Sequence, residues 1–184
     1  MAKKLPGIML DFETLGTRAD AVIISIGAVK FDPDSTAIDD KAFYASVSID
    51  SNHDVAPRHI SESTLLFWLA QAPEAQAVFH EAKVTLATAL EDFVEWIDHP
   101  DYRLWSNGAD FDIPMMNHAL SVHGLTAPWK FYNTGCYRTM KNLPFGKTAA
   151  KPVNALKHNA LQDAIYQARH LQNIFAAMKE GIPA

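Results

Sequence analysis

Carboxylate side chains and one histidine stand in three short clusters along the chain. Asp11 and Glu13 directly follow an apolar run, residues 7–10, that predicts a buried strand. Side chains two residues apart on a strand point to the same face, so these two carboxylates repel each other and favour a cation beside them. Asp112 and Asp163 come from distant parts of the chain. If all four converge, their oxygens form the kind of site that binds hard divalent metal ions.

The elements that must position these residues alternate between strands and helices. Further strands are predicted over 21–31, 42–49 and 103–106, and helices over 61–71, 84–98, 113–123 and 159–179. Short links between the first three strands predict an antiparallel meander, and the first and fourth strands are expected to be neighbours. The predicted fold class is therefore α/β, a mixed central sheet flanked by helices. Two prolines and a glycine over 143–153 predict a mobile loop.

This order of elements brings the acids to one rim of the sheet. Asp11 and Glu13 lie on the first strand, Asp112 begins a helix just after a strand, and Asp163 lies in the first turn of the last helix. The helix dipole favours a carboxylate at that last position. Four carboxylates in one site need divalent cations, and two such ions about 3.5–4 Å apart suit attack of water on a phosphodiester.

His158 precedes Asp163 by five positions, which is roughly 140° around an ideal helix. The two side chains therefore cannot face one site if both residues are helical. We expect His158 to stand in the loop before the last helix. Ser61 is expected to begin the helix over 61–71, and Gly124 to end the helix over 113–123. In the loop, His158 is free to swing toward the metal ions. Imidazole changes its charge near neutral pH, which suits this residue to deprotonate an attacking water.

Composition bounds the class of protein. The chain of 184 residues is 48% hydrophobic and 20% charged, which predicts a single globular domain over 1–184. It has no apolar run of membrane-spanning length and no signal-peptide pattern, so no membrane partner is expected. The one cysteine, Cys136, excludes an internal disulfide and a multi-cysteine zinc site, and favours a cytoplasmic location.

The net charge of −5 is unevenly distributed. Residues 113–162 contain no acid, whereas the rest of the chain carries 10 basic and 21 acidic side chains, a balance of −11. The basic residues of this acid-free stretch are Lys130, Arg138, Lys141, Lys147, Lys151 and Lys157. Such a stretch predicts a local surface for a polyanion, and drift in surface composition is the alternative.

Taken together, the clusters resemble the motifs of the DEDDh class of DnaQ-like 3′–5′ exonucleases, which includes proofreading exonucleases, ribonuclease T and oligoribonuclease. Residues 11–14 resemble the first motif of that class, 107–112 the second and 158–163 the third. The tyrosine variant would carry Tyr where this chain has Asn159, so the chain is of the histidine type. Residues 11–32 are also similar to phage DexA-type exonucleases and to related bacterial exoribonucleases.

The resemblance implies a ribonuclease H-like fold and release of nucleoside 5′-monophosphates from the 3′ ends of RNA or DNA. It implies that Asp11, Glu13, Asp112 and Asp163 bind two Mg²⁺ or Mn²⁺ ions and that His158 is the general base. Asp110 is a second candidate for the ligand in its motif. The implied substrate contacts are Thr14, Leu15, Asn107, Phe111 and Arg138. Some relatives are dimers, which leaves a homodimer open.

The same residues are compatible with other functions. The chain could be a catalytically silent nucleic-acid-binding module or a metal-dependent hydrolase of small nucleotides. The full set of acids and His158 favours catalysis, and the acid-free stretch favours a polymeric substrate. Thr14 and Leu15 could instead form a strand-end turn, and Arg138 a solvated surface residue. Phe67 and Trp68 could stack on a base or belong to the core.

Overall fold

A five-stranded mixed sheet lies at the centre of the structure, a computed structural model that describes residues 6–108, 110–153 and 157–181. Its strands are β1 (Gly7–Thr14), β2 (Ile23–Phe31), β3 (Phe43–Ser46), β4 (Arg103–Ser106) and β5 (Thr134–Cys136). Their order is β3-β2-β1-β4-β5. The β1–β2 and β2–β3 pairs are antiparallel, whereas the β1–β4 and β4–β5 pairs are parallel. The predicted meander and the predicted contact between the first and fourth strands are both confirmed.

The helices are α1 (Glu62–Leu69), α2 (Pro73–Gln76), α3 (Leu86–Trp96), α4 (Asp112–Val122), α5 (Tyr137–Asn142), α6 (Pro144–Thr148) and α7 (Ala160–Glu180). Short 3₁₀ turns occupy Asp50–His53 and Ala77–Phe79. The four predicted helices are confirmed as α1, α3, α4 and α7. The chain turns after α4 at Gly124, whose φ of +70° suits glycine, as predicted. Ser61 precedes α1, but its side chain makes no capping hydrogen bond. In the described part of the chain, no helix has the length and apolar character that crossing a membrane requires.

The prediction of a mobile loop over 143–153 is wrong for its first half, and β5 and α5 were not predicted. Pro144 is the first residue of α6, where its missing N–H costs no hydrogen bond. Gly146 lies so close to α5 that a Cβ there would be 2.5 Å from Lys141 Cα. In β5, a Cβ on Gly135 would be 2.6 Å from Trp105 Cδ2. Pro144 and Gly146, which suggest a loop, therefore serve a helix start and a close packing contact. Gly135 provides a second close contact, in β5.

The alternation of β1 decides where its acids point. Ile8, Leu10 and Phe12 belong to the core on the α3 and α4 side of the sheet. Met9 belongs to the core on the other side, beneath α7. Asp11 and Glu13 have the same parity as Met9 and therefore lie on the face that α7 covers.

Gly27 allows α7 to begin close to the sheet. It pairs with Asp11 across β1 and β2, within a strand that is buried at every position. A Cβ on Gly27 would be 2.5 Å from the carbonyl oxygen of Ala160, with Ala160 C and Leu161 N closer still. Only a residue without a side chain lets the first turn of α7 lie directly beside the strand of Asp11.

Candidate metal centre

The four predicted acids lie on the elements expected for them and are close enough to affect one another. Asp11 and Glu13 are on β1, Asp112 is the first residue of α4, and Asp163 is in the first turn of α7. The pKa of Asp11 is raised well above its ordinary value, chiefly by burial and then by Asp112, Glu13 and Asp163 in that order. The structure therefore brings the four carboxylates together.

Asp112 is fixed where β1 and β4 part. The pairing of these strands ends at Leu10 and Ser106. The N–H of Phe12, two residues beyond Leu10, donates a hydrogen bond to Asp112 Oδ1 at 3.1 Å. Asp112 is buried, and its Oδ2 has no hydrogen-bond partner within 6–108, 110–153 and 157–181. Asp110, the other acid of this motif, is exposed. Asp112 is therefore the acid of its motif that lies at the cluster.

Burial sets the protonation of these carboxyls when no cation is present. It raises the pKa of Glu13 to about 8, with further contributions from Asp163 and Asp112. It raises the pKa of Asp112 to about 7, although the Phe12 N–H and the charge of Arg138 act in the opposite direction. These groups ionise fully at neutral pH only if positive charge enters the site.

His158 lies in the turn before α7, as its spacing from Asp163 predicts. Its φ is +60°, and its N–H donates to Asp163 Oδ2 at 2.9 Å. Its ring is edge-on to Phe67, with 5.2 Å between the ring centroids. One ligand atom each from Glu13, His158 and Asp163 lie within 4.8 Å of one another. His158 and Asp163 thus reach the same centre from one short turn.

Gln167 is a residue of this centre that the sequence interpretation missed. Its Nε2 donates to Asp11 Oδ1 at 2.7 Å, a contact that lowers the pKa of Asp11 against the larger effect of burial. Gln167 stands four residues after Asp163, which places both on one face of α7. That spacing was a signal available in the sequence. The amide fixes the orientation of the Asp11 carboxylate.

Two cavities meet at the centre. A groove of about 860 Å³ is lined by acids of the centre and by four lysines of the acid-free stretch. A pocket of about 270 Å³ is lined by Thr14, Phe67 and Phe111, among others. Glu13 and His158 border both cavities. A substrate that occupies both would therefore pass directly over the centre.

The residues predicted to contact substrate are distributed unequally. Thr14 and Phe111 line the pocket, and Asn107 lines the groove, where its Oδ1 accepts from Lys141 Nζ at 3.0 Å. Arg138 is exposed and near enough to Asp112 to affect its pKa. Leu15 is buried in a core cluster and lines neither cavity.

The two aromatic residues of α1 divide between the predicted alternatives. Trp68 is buried in the same core cluster as Leu15, and its Nε1 donates to the carbonyl oxygen of Thr14 at 2.8 Å. Phe67 is 42% exposed and lines the pocket. Trp68 thus supports the end of β1, whereas Phe67 presents a partly exposed ring to the pocket.

Comparison with known proteins places this chain in a family of exoribonuclease domains. Residues 7–175 match the family described as the 3′–5′ exoribonuclease Rv2179c-like domain. The exodeoxyribonuclease of Enterobacteria phage T4 is 25% identical over 119 residues, which are 59% of this chain and 52% of the phage protein. This chain therefore spans about half the length of that relative.

Solved structures of exonuclease I share the fold. That of Escherichia coli in complex with a dA16 oligonucleotide superposes with a TM-score of 0.65 at 12% identity, over 94% of this chain and 41% of its own. A moderately thermophilic exonuclease I from Methylocaldum szegediense gives a TM-score of 0.62 at 15% identity, over 89% of this chain and 39% of its own. At these identities the likeness shows the fold alone, which is the ribonuclease H-like fold of exonucleases.

Proposed function

Because this chain belongs to the family of Rv2179c-like 3′–5′ exoribonuclease domains, we propose that it is a divalent-metal-dependent 3′–5′ exonuclease of single-stranded RNA or DNA. The products are nucleoside 5′-monophosphates. One observation carries the proposal: Asp11, Glu13, Asp112 and Asp163 converge beside a groove that also contains lysines. Carboxylates that converge beside lysine side chains suit a metal centre that acts on the phosphodiester bonds of a nucleic-acid strand.

The donor set fits Mg²⁺ or Mn²⁺. All four carboxylates offer oxygen, and Asp11, Glu13 and Asp112 have raised pKa values in the absence of a cation. Asp112 Oδ2 accepts no hydrogen bond from the described residues, so this oxygen would be available to coordinate a cation. We further propose that these carboxylates bind two metal ions. When bound, such ions would supply positive charge that stabilises the attacking oxygen of water and the leaving oxygen of the phosphodiester.

His158 is proposed to accept the proton of the attacking water. Its ring lies at the border of groove and pocket, and its backbone is tied to Asp163 by the 2.9 Å hydrogen bond. The edge contact with Phe67 supports the ring from the side of the pocket. A general base in such a position contributes about 10²–10⁴-fold to the rate.

The pocket is proposed to hold the 3′-terminal nucleoside. Phe67 and Phe111 line it and can stack on a base, which is a contact that tolerates every base. Thr14 lines the same pocket, and its hydroxyl donates to the Gly16 carbonyl oxygen at 2.7 Å, which holds the turn at the end of β1. A terminal nucleoside in the pocket would place its 5′ phosphate at Glu13 and His158.

The test is digestion of matched 5′-labelled RNA and DNA oligonucleotides, single- and double-stranded, with Mg²⁺ and with Mn²⁺. We expect shortening by one nucleotide at a time, no activity in excess EDTA, and a block by a 3′-terminal phosphate. Asp163→Asn should lower activity by several orders of magnitude. Asp110→Asn is the matched control, because it removes an exposed carboxylate of the second motif.

Distinct outcomes would contradict the proposal. Cleavage of a circular strand as fast as a linear one would indicate an endonuclease. Binding without cleavage by the metal-loaded protein would indicate a silent binding module. Hydrolysis of small nucleotides with no shortening of any oligonucleotide would indicate a small-molecule hydrolase.

A further inference from the structure

Four lysines of the acid-free stretch line the groove beside the metal centre. They are Lys141, Lys147, Lys151 and Lys157, called here the groove lysines. The last three are exposed, and Lys141 is partly buried. They come from α5, α6 and the segments that follow α6, so the basic stretch is gathered on one cavity.

None of the groove lysines forms an ion pair with a described residue. In the part of the chain that the structure describes, no carboxylate lies within ion-pair distance of any of them. Lys130, from the same acid-free stretch, differs in both respects: it lies outside the groove and pairs with Asp101 at 2.8 Å. Among the described residues, the groove therefore carries four lysines with no carboxylate at ion-pair distance.

Lys141 is close enough to other cations to be repelled by them. Burial lowers the pKa of Lys141, and the charges of Arg138 and Lys151 lower it further. Lys141 is nevertheless held at the groove, since its Nζ donates to Asn107 Oδ1 and lies 5.2 Å from the centre of the Tyr137 ring. Such a cluster favours an anion, just as the converging carboxylates favour a cation.

We propose that the groove lysines bind the backbone phosphates of the strand on the 5′ side of the cleaved bond. This inference rests on the proposed function and specifies the path of its substrate. Glu13 and His158 border both cavities, so a terminal nucleoside in the pocket leaves the groove for the rest of the strand. Lysine contacts to phosphate read neither the base nor the 2′-hydroxyl, so RNA and DNA are held alike along this path.

The experiment measures cleavage of a long single-stranded oligonucleotide and of a dinucleotide, each as RNA and as DNA, by the chain of 184 residues. The variant is Lys147→Ala with Lys151→Ala, because both side chains are exposed. At physiological salt, kcat/KM on the long strand should fall about tenfold more than on the dinucleotide. The slope of log KM against log salt concentration for the long strand should decrease by about 1.4, because each of the two lost phosphate contacts contributes about 0.7 to that slope for a single strand.

The matched control is Lys130→Ala with Lys179→Ala, which removes the same charge outside the groove. These lysines pair with Asp101 and Asp34. The control should leave the salt dependence and the ratio of the two kcat/KM values as in the wild type. A control that changes both as much as the groove variant would mean that overall charge, and not the groove, binds the strand.

The two proposals fail in different ways. If the wild type cleaves neither substrate, the proposed function is wrong. If the wild type cleaves both and the groove variant keeps its salt dependence and its ratio of kcat/KM values, the nuclease stands and the groove lysines do not bind the strand. Equal losses on both substrates would place these lysines at the cleaved bond and would also overturn the inference.

Discussion

Substituting Gly27 by alanine tests whether the fit between β2 and α7 determines activity. The new Cβ would be 2.5 Å from the Ala160 carbonyl oxygen, whereas ordinary contact begins near 3.4 Å. Because the nearest atoms belong to backbone, no side chain can rotate to make room. The first turn of α7, and with it His158 and Asp163, must therefore move by about 1 Å away from Asp11 and Glu13.

Both stability and rate should respond. Overpacking of this kind costs about 1–3 kcal/mol. In a chain of this size each kcal/mol lowers the melting temperature by about 2–4 °C, so a drop of about 2–12 °C is expected. A misplacement of about 1 Å in an active site costs about 10²-fold in rate. Gly27→Ala should thus remain folded at low temperature yet lose about two orders of magnitude in kcat.

The assay is single-turnover cleavage of a labelled oligonucleotide at a temperature well below both melting transitions, with circular dichroism as the measure of folding. Gly7→Ala is the control, because its Cβ would be 2.9 Å from the Phe31 ring at the other end of the same strand pair. It should lower the melting temperature but leave kcat close to the parent. A folded Gly27→Ala enzyme with parental kcat, or an equal loss in Gly7→Ala, would refute the reasoning.

Three other perturbations test the metal centre. Burial raises the pKa of Glu13 from 4.5 to about 8 in the metal-free protein, so the stability that its protonated form provides is present below about pH 4.5 and lost as the pH rises through 8. The melting temperature of the metal-free protein should fall across that range, and excess Mg²⁺ should restore it. His158→Asn, which tolerates the φ of +60°, should lose about 10²–10⁴-fold in turnover with little change in melting temperature. Gln167→Leu removes the donor to Asp11 and should raise the Mg²⁺ concentration for half-maximal activity by about 10–100-fold.

Each of these has a contradicting result. A metal-free melting temperature that stays constant or rises between pH 4.5 and 8 would mean that Glu13 is not held protonated by the fold. Parental turnover in His158→Asn would require another base. An unchanged Mg²⁺ requirement in Gln167→Leu would show that the orientation of Asp11 does not depend on this amide.

Local patterns were enough to predict the framework of the site. The two-residue period of β1 placed Asp11 and Glu13 on one face, and the five-residue separation of His158 from Asp163 excluded a shared helix. Both inferences depend only on the geometry of a single element. The parallel contact of β1 with β4, which brings Asp112 to the same rim, follows from the order of the elements.

Features that depend on packing between distant segments could not be predicted in the same way. The three residues of β5 have no period of their own and gain their strand conformation from β4. α1 is apolar on both sides, so sequence could not decide that Trp68 is buried while Phe67 borders the pocket. The gathering of the groove lysines likewise requires α5, which is only six residues long, and α6, whose proline and glycine predict a loop.

The docking of α7 on Gly27 also determines when the candidate metal centre is completed during synthesis of the chain. β1 and β2 are made within the first 31 residues, whereas His158 and Asp163 are made more than a hundred residues later and complete the site only when α7 packs on those strands. Because domains fold progressively as the chain leaves the ribosome, nascent chains that end before α7 carry Asp11 and Glu13 without His158 and Asp163. Each nascent chain therefore lacks the complete candidate metal centre until α7 has left the ribosome and packed on β2.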